Sequence, residues 1–263
     1  MPRVLVEVAP GVLVATSRTM TTTSTVAVRR GEALLVDPAW HPDELAGLAD
    51  ALDARALRVV GGIATHAHHD HLLWHPRFGA APRWASAPAA SLARGRRDTL
   101  QTALVSGEGS ADAGPHPWTP DLLDLVGRVR PWPATPPLLP GDPELVVHDA
   151  HAPGHAPVWL ARAQVLVAGD MLSDVELPLL FEPDDLAAYL DGLDRLAPYV
   201  ARADVVVPGH GTPSSEGMTR LDADRRYLEA LLAGRDPDDP RRANPGMAEV
   251  HAALVELARA LRH

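Results

Sequence analysis

A chain of 263 residues with 46% hydrophobic side chains can bury a substantial core, as one large domain or two small ones. Its formal net charge of −10 sets the surface against nucleic acid and anionic membranes, which argues against a nuclease. Cysteine is absent, so disulfides and thiolate chemistry are excluded, and no apolar run is long enough to span a bilayer; a cytoplasmic protein is expected.

Residues 4–8, 12–15, 25–28 and 33–36 carry short β-type patterns, the last ending at Asp37. Residues 42–52 have apolar side chains at helical spacing and acidic residues near the start, which predicts a helix. A strand is expected over 57–64, followed by the run His66-Ala67-His68-His69-Asp70-His71 and a short helix or turn over 71–74. Residues 91–105 read as one amphipathic helix. The stretch 107–142 is broken by Gly and Pro and reads as loop around a helical piece near 122–129. Strand patterns return at 144–148, 158–161, 164–168 and 204–207, with a helix over 184–196 and two more over 219–232 and 247–261. Strands followed by helices in each half suggest two packed sheets with helices outside.

The run 66–71 puts five potential metal ligands into six residues. On an extended segment alternate side chains point the same way, so His66 and His68 can grip one ion while Asp70 and His71 hold a second. Taken alone, such a run also fits a metal-sticky surface tract. Three later fragments argue otherwise: Ala152-Pro153-Gly154-His155, Ala168-Gly169-Asp170 and Pro208-Gly209-His210-Gly211. Each puts a His or Asp beside a small-residue turn next to a strand, where Gly and Pro fix the turn and let the backbone approach an ion.

With these fragments and Leu34-Leu35-Val36-Asp37, the chain resembles the metallo-β-lactamase fold superfamily, in particular its dinuclear hydrolase branch, which includes glyoxalase II-like enzymes. The resemblance implies an α/β fold, a four-layer αββα sandwich, as a single domain over 1–263 with a lid-like Pro- and Trp-containing insertion around 88–142. It implies that His66, His68 and His155 bind one ion, that Asp70, His71 and His210 bind a second, and that Asp170 bridges them. Asp37 is implied to support the ligands from behind, with a plain strand-end cap as the alternative. Imidazole and carboxylate donors suit two divalent ions, Zn²⁺ first and Mn²⁺ or Fe²⁺ as alternatives. Two ions about 3.5–4 Å apart lower the pKa of a shared water toward neutrality. The implied activity is hydrolysis of an ester, thioester or lactone bond, with amides by extension. A metal-bridged hydroxide is its nucleophile and Asp70 the catalytic residue that orients it.

Substrate signals are thinner. Trp40 is a candidate pocket wall and Trp74 a candidate substrate contact, although core or lid packing is the commoner role for such tryptophans; residues 19–25 read as a flap or a polar hairpin, and His69 is expected to point away from the site. The lysine-free C-terminus speaks against glutathione thioesters. Met171-Leu172-Ser173 after Asp170 lacks the tyrosine usual in acyl-homoserine lactonases, and His68 stands where electron-transferring diiron relatives carry glutamate. The runner-up reading is a mononuclear iron oxidoreductase of the persulfide dioxygenase kind; a scaffold protein that kept only the fold ranks third. The expected partner is a small-molecule substrate, with neither nucleic acid nor membrane, and a homodimer is left open.

Overall fold

Between positions 33 and 36 every side chain is buried, but on alternate faces: Ala33 and Leu35 join one apolar cluster, Leu34 and Val36 another. The same alternation recurs at Val165 and Val167 against Leu166 and Ala168. Strands that are apolar on both faces must be covered on both, and that requirement fixes the layering.

In the computed structural model, which describes residues 3–106, 117–180 and 185–262, two sheets meet face to face. The first runs in the order β1 (Val6–Ala9), β2 (Val12–Thr16), β3 (Thr23–Arg29), β4 (Glu32–Val36), β5 (Arg58–Ile63), β6 (Arg83–Ala85) and β7 (Arg130–Pro131). Pairing is antiparallel up to β4 and parallel beyond it, with Val36 opposite Thr25 on one side and Ile63 on the other. The second sheet contains β8 (Pro143–Leu145), β9 (Val158–Leu160), β10 (Val165–Gly169) and β11 (Val205–Pro208), side by side in that order. Only β10 and β11 run parallel, with Val165 opposite Val205.

Leu34, Val36 and Ile63 pack against Val158, Val165 and Val207 between the sheets. Outside the first sheet lie α1 (Pro42–Asp53), α2 (Ala87–Gly95), α3 (Arg97–Ser106) and α4 (Pro120–Leu125). Outside the second lie α5 (Leu186–Val200), α6 (Gly217–Leu232) and α7 (Met247–Ala260). Three cores separating four layers give the expected αββα sandwich. Local signals agree: α1 opens with Pro42 and a box in which Glu44 reaches back to the His41 backbone. At the head of α5, Asp185 accepts the amides of Ala187 and Ala188.

The differences from the sequence reading are local. The single helix expected over 91–105 is two helices meeting at Arg96, whereas the helix or turn expected over 71–74 begins as a turn. β6 and β7 span three and two residues, too few to leave a periodicity. Part of the expected loop, 107–116, and the first expected residue of the 184–196 helix lie outside the described residues. No helix among the described residues is long and apolar enough to cross a membrane.

Candidate metal centre

Parallel strands deliver their following residues to one edge of the sandwich. Asp37 follows β4, the 65–71 loop follows β5, Asp170 follows β10 and His210 lies just past β11. Across that edge Thr23 N donates to Gly209 O at 2.7 Å, tying the first sheet to the second. Close approach explains two glycines: a Cβ at Gly169 would overlap the His155 ring, and one at Gly209 would overlap the Asp170 carboxylate.

Among the described residues, two groups bring ligand atoms within 4.8 Å of one another: His66, His68, His151 and Asp170, and next to them Asp70, His71 and His210. In the first group His68 Nδ1 lies 2.9 Å from His66 Nε2 and 3.2 Å from His151 Nε2. Asp170 Oδ2 lies 3.5 Å from His66 Nε2 and 3.3 Å from His151 Nε2. In the second, His71 Nε2 is 3.0 Å from Asp70 Oδ2 and 3.2 Å from Asp170 Oδ1. His210 Nε2 is 3.4 Å from Asp70 and 3.3 Å from Asp170. The Asp170 carboxylate therefore borders both groups.

The far side of each ring decides its tautomer, because a carbonyl or carboxylate oxygen can only accept. His151 Nδ1 donates to Leu179 O at 3.0 Å and His210 Nδ1 to Met20 O at 3.1 Å. His71 Nδ1 donates to Asp37 Oδ2 at 2.9 Å. Thr65 Oγ1 gives its proton to Asp37 and so accepts from His66 Nδ1, at 3.0 Å. In the neutral forms, four Nε2 lone pairs thus point inward, onto each other and onto carboxylate oxygens. Two of the converging atoms, His71 Nε2 and Asp170 Oδ1, are buried without a hydrogen bond of acceptable geometry.

This donor set fits a divalent cation. Imidazole nitrogens and carboxylate oxygens without sulfur fit Zn²⁺, Mn²⁺ or Fe²⁺, and the rings of His66, His71, His151 and His210 are each oriented by an outer partner, as ligating histidines usually are. The local electrostatics differ between the groups. Burial holds the His66 pKa down to about 4 and pushes His68 well below the usual imidazole range. His71 and His210 are lifted well above it: burial opposes the charge, but Asp170 and the other carboxylates outweigh it. Asp70 and Asp170 are held well below the usual carboxylate range, because the adjacent His71 charge overcomes their burial.

The sequence profile described as the metallo-beta-lactamase superfamily matches residues 18–210. The chain belongs to the metallo-β-lactamase superfamily. No curated protein matches it. Solved structures share its fold. A beta-lactamase domain protein from Burkholderia ambifaria is 21% identical over 97% of this chain and 86% of that one, with a TM-score of 0.64. A metallo-beta-lactamase family protein from Thermus thermophilus is 22% identical over 87% of this chain and 82% of that one, with a TM-score of 0.58. VMB-1 is 16% identical over 87% of this chain and 97% of its own, with a TM-score of 0.62. Superfamily membership and the two His/Asp groups together support a metal-dependent hydrolase.

The structure of this superfamily member brings His66, His68, Asp70, His71, Asp170 and His210 together, and its first group contains His151 where the sequence reading names His155. The reason is how the His155 lone pair is used. His155 Nε2 accepts the backbone N–H of Asp170 at 3.2 Å, and Nδ1 faces His148 Nε2 at 3.5 Å. His155 thus braces Asp170 from behind, while His151, at φ +66°, turns its ring into the first group. Asp37 stands behind the ligands: besides His71 it takes the Thr65 amide at 2.8 Å and the Thr65 hydroxyl at 2.6 Å.

Above the ligands opens a cavity of about 380 Å³, walled by Met20, Trp40, Leu100 and Leu179 and reached by Arg96 and Glu176. Trp40 lines this cavity. Trp74 is buried in the first core, its ring resting on Gly62. His69 does not turn away but lines the cavity, edge-on to Trp40 with ring centroids 5.3 Å apart. The threonine-rich segment seats the centre, since Thr22 Oγ1 lies 3.2 Å from His210 Nδ1. Of the 94–97 arginines, Arg97 binds the Asp124 and Val126 carbonyls outside the cavity, and only Arg96 reaches it.

Proposed function

We propose that this chain hydrolyses an ester, thioester or lactone bond of a small molecule with two divalent ions, Zn²⁺ first. His66, His68, His151 and Asp170 would hold one, and Asp70, His71 and His210 the other, with Asp170 shared. One observation carries the reading: a single buried carboxylate lies within 3.5 Å of imidazole nitrogens from both groups, at the floor of an apolar cavity.

Bound there, the ions would supply a water acidified toward neutrality and a Lewis acid that polarises the scissile carbonyl. The chain does the positioning. Asp37, Leu179 O and Met20 O fix the rings of His71, His151 and His210, so the donors need no reorganisation when the site fills. Asp70 lines the cavity and orients the nucleophile from beside His71. Trp40, Leu100 and Leu179 take up the apolar body of the substrate and exclude bulk water from the reacting bond. The presence of Asp70, His71 and His210 as a second complete group favours this reading over a mononuclear iron oxidoreductase.

The test is metal analysis of protein purified without added metal. It is joined to a screen of thioesters, lactones, β-lactams and phosphodiesters with Zn²⁺, Mn²⁺ and Fe²⁺ supplied in turn. The expected result is about two ions per chain and carbonyl-ester cleavage that a chelator removes and metal restores. A single iron with thiol-dependent oxygen uptake would overturn it.

A further inference from the structure

Glu176 is a carboxylate that the proposed chemistry leaves unused. It lines the cavity alongside Asp70, Asp170 and His210 but belongs to neither ligand group. The residue is only 8% exposed, and among the described residues no hydrogen bond or ion pair reaches its carboxyl oxygens. Burying an unpaired carboxylate is costly. Here burial and the neighbouring Asp170 charge push its pKa up, against the pull of His210. An apolar side chain would suit a wall that continues to Leu179 far better.

The backbone around Glu176 is held in place from several sides. Ser173 Oγ accepts the Glu176 amide at 3.0 Å while donating to His210 O at 2.7 Å, which locks this loop to the metal centre. Arg241, buried and paired with Asp224 at 2.6 Å, donates to both Ser173 O and Glu176 O at 3.0 Å. Asn244 donates to Val175 O at 2.7 Å, and Met247 Sδ receives the Leu177 amide at 3.2 Å. These bonds hold the Glu176 backbone, and so the origin of its side chain, at the wall of the cavity. The fold therefore presents to the cavity a carboxylate that, among the described residues, has no hydrogen-bonded partner, with His210 as its nearest opposing charge.

We propose that Glu176 is the specificity-determining residue of the pocket and accepts N–H hydrogen bonds from an ammonium group on the substrate. The apolar body of that substrate lies along Trp40, Leu100 and Leu179. A buried carboxylate finds its strongest complement in a charged N–H donor, so the substrate class is a small apolar amine carrying the scissile acyl bond. The word substrate rests on the hydrolase reading; recognition of the amine does not.

The experiment is calorimetric titration of the zinc-loaded protein at neutral pH with 2-phenylethylamine and 2-phenylethanol, which differ only in the donor group. Wild type should bind the amine roughly tenfold or more tightly than the alcohol, as expected for a hydrogen bond to a charged group. In Glu176→Leu that ratio should fall to about one. Glu176→Gln keeps the side-chain volume and one acceptor, so it covers the case in which the leucine variant fails to fold; it should lose the amine preference and keep its alcohol affinity. Absence of a preference in wild type, or an unchanged ratio in the variants, overturns the assignment. Phenyl acetate turnover by the same wild-type preparation tests the hydrolase reading separately, since that ester has no amine.

Discussion

In the first ligand group three imidazoles surround one carboxylate oxygen, whereas in the second two imidazoles face Asp70 and Asp170, with Asp37 behind. Without a cation the two are not equivalent. The second can protonate His71 and His210 and turn its contacts into ion pairs, which is why both imidazoles are held well above their usual range. The first has one carboxylate for three rings, and His66 and His68 stay uncharged. A metal entering the second group would displace protons from His71 and His210. Asp170 is where the two meet.

The largest effect is therefore expected at Asp170. Asp170→Ala should take turnover of any ester found in the screen below detection and leave fewer than two ions per chain, read by elemental analysis. Near-normal activity in that variant would mean that the groups work without a shared carboxylate. A smaller contrast separates His151 from His155. His151→Ala should empty the first group, while His155→Ala removes only an outer support and should weaken metal binding by about 10–100-fold. Metal retained by His151→Ala but lost from His155→Ala would restore the original reading of the motif.

That contrast also marks where the sequence stops being legible. His66 to His71, Asp170 and His210 could be placed because each lies just beyond a strand, and strand direction fixes where the next residues go. His151 and His155 flank the same Ala-Pro-Gly turn, and only the path of that turn decides which ring faces inward. The path depends on left-handed backbone at His151 and Gly154 and on a long-range bond between His155 and the Asp170 amide. The crowding of His148, His151 and His155 into eight residues was the available signal. The seat of Trp74 is hidden for a related reason: nothing local shows that bare Gly62 makes room for its ring in the core. Glu176 carried no motif, since its role depends on Arg241 and Asn244 arriving from the far end of the chain.

The smallest expected effect tests the charge difference itself, in protein stripped of metal. His71 and His210 have folded-state pKa values above the ordinary 6.5. Their contribution to stability is thus complete below pH 6.5 and is lost as pH rises through the elevated values. As pH rises above 6.5 the chelated protein should accordingly lose stability, followed as a falling Tm in thermal unfolding. Metal-loaded protein should hold its Tm over the same interval, because cations rather than protons then occupy the inward lone pairs. A chelated protein that gains stability with rising pH would show that the second group does not protect itself with protons, and the asymmetry between the two halves of the centre would fall with it.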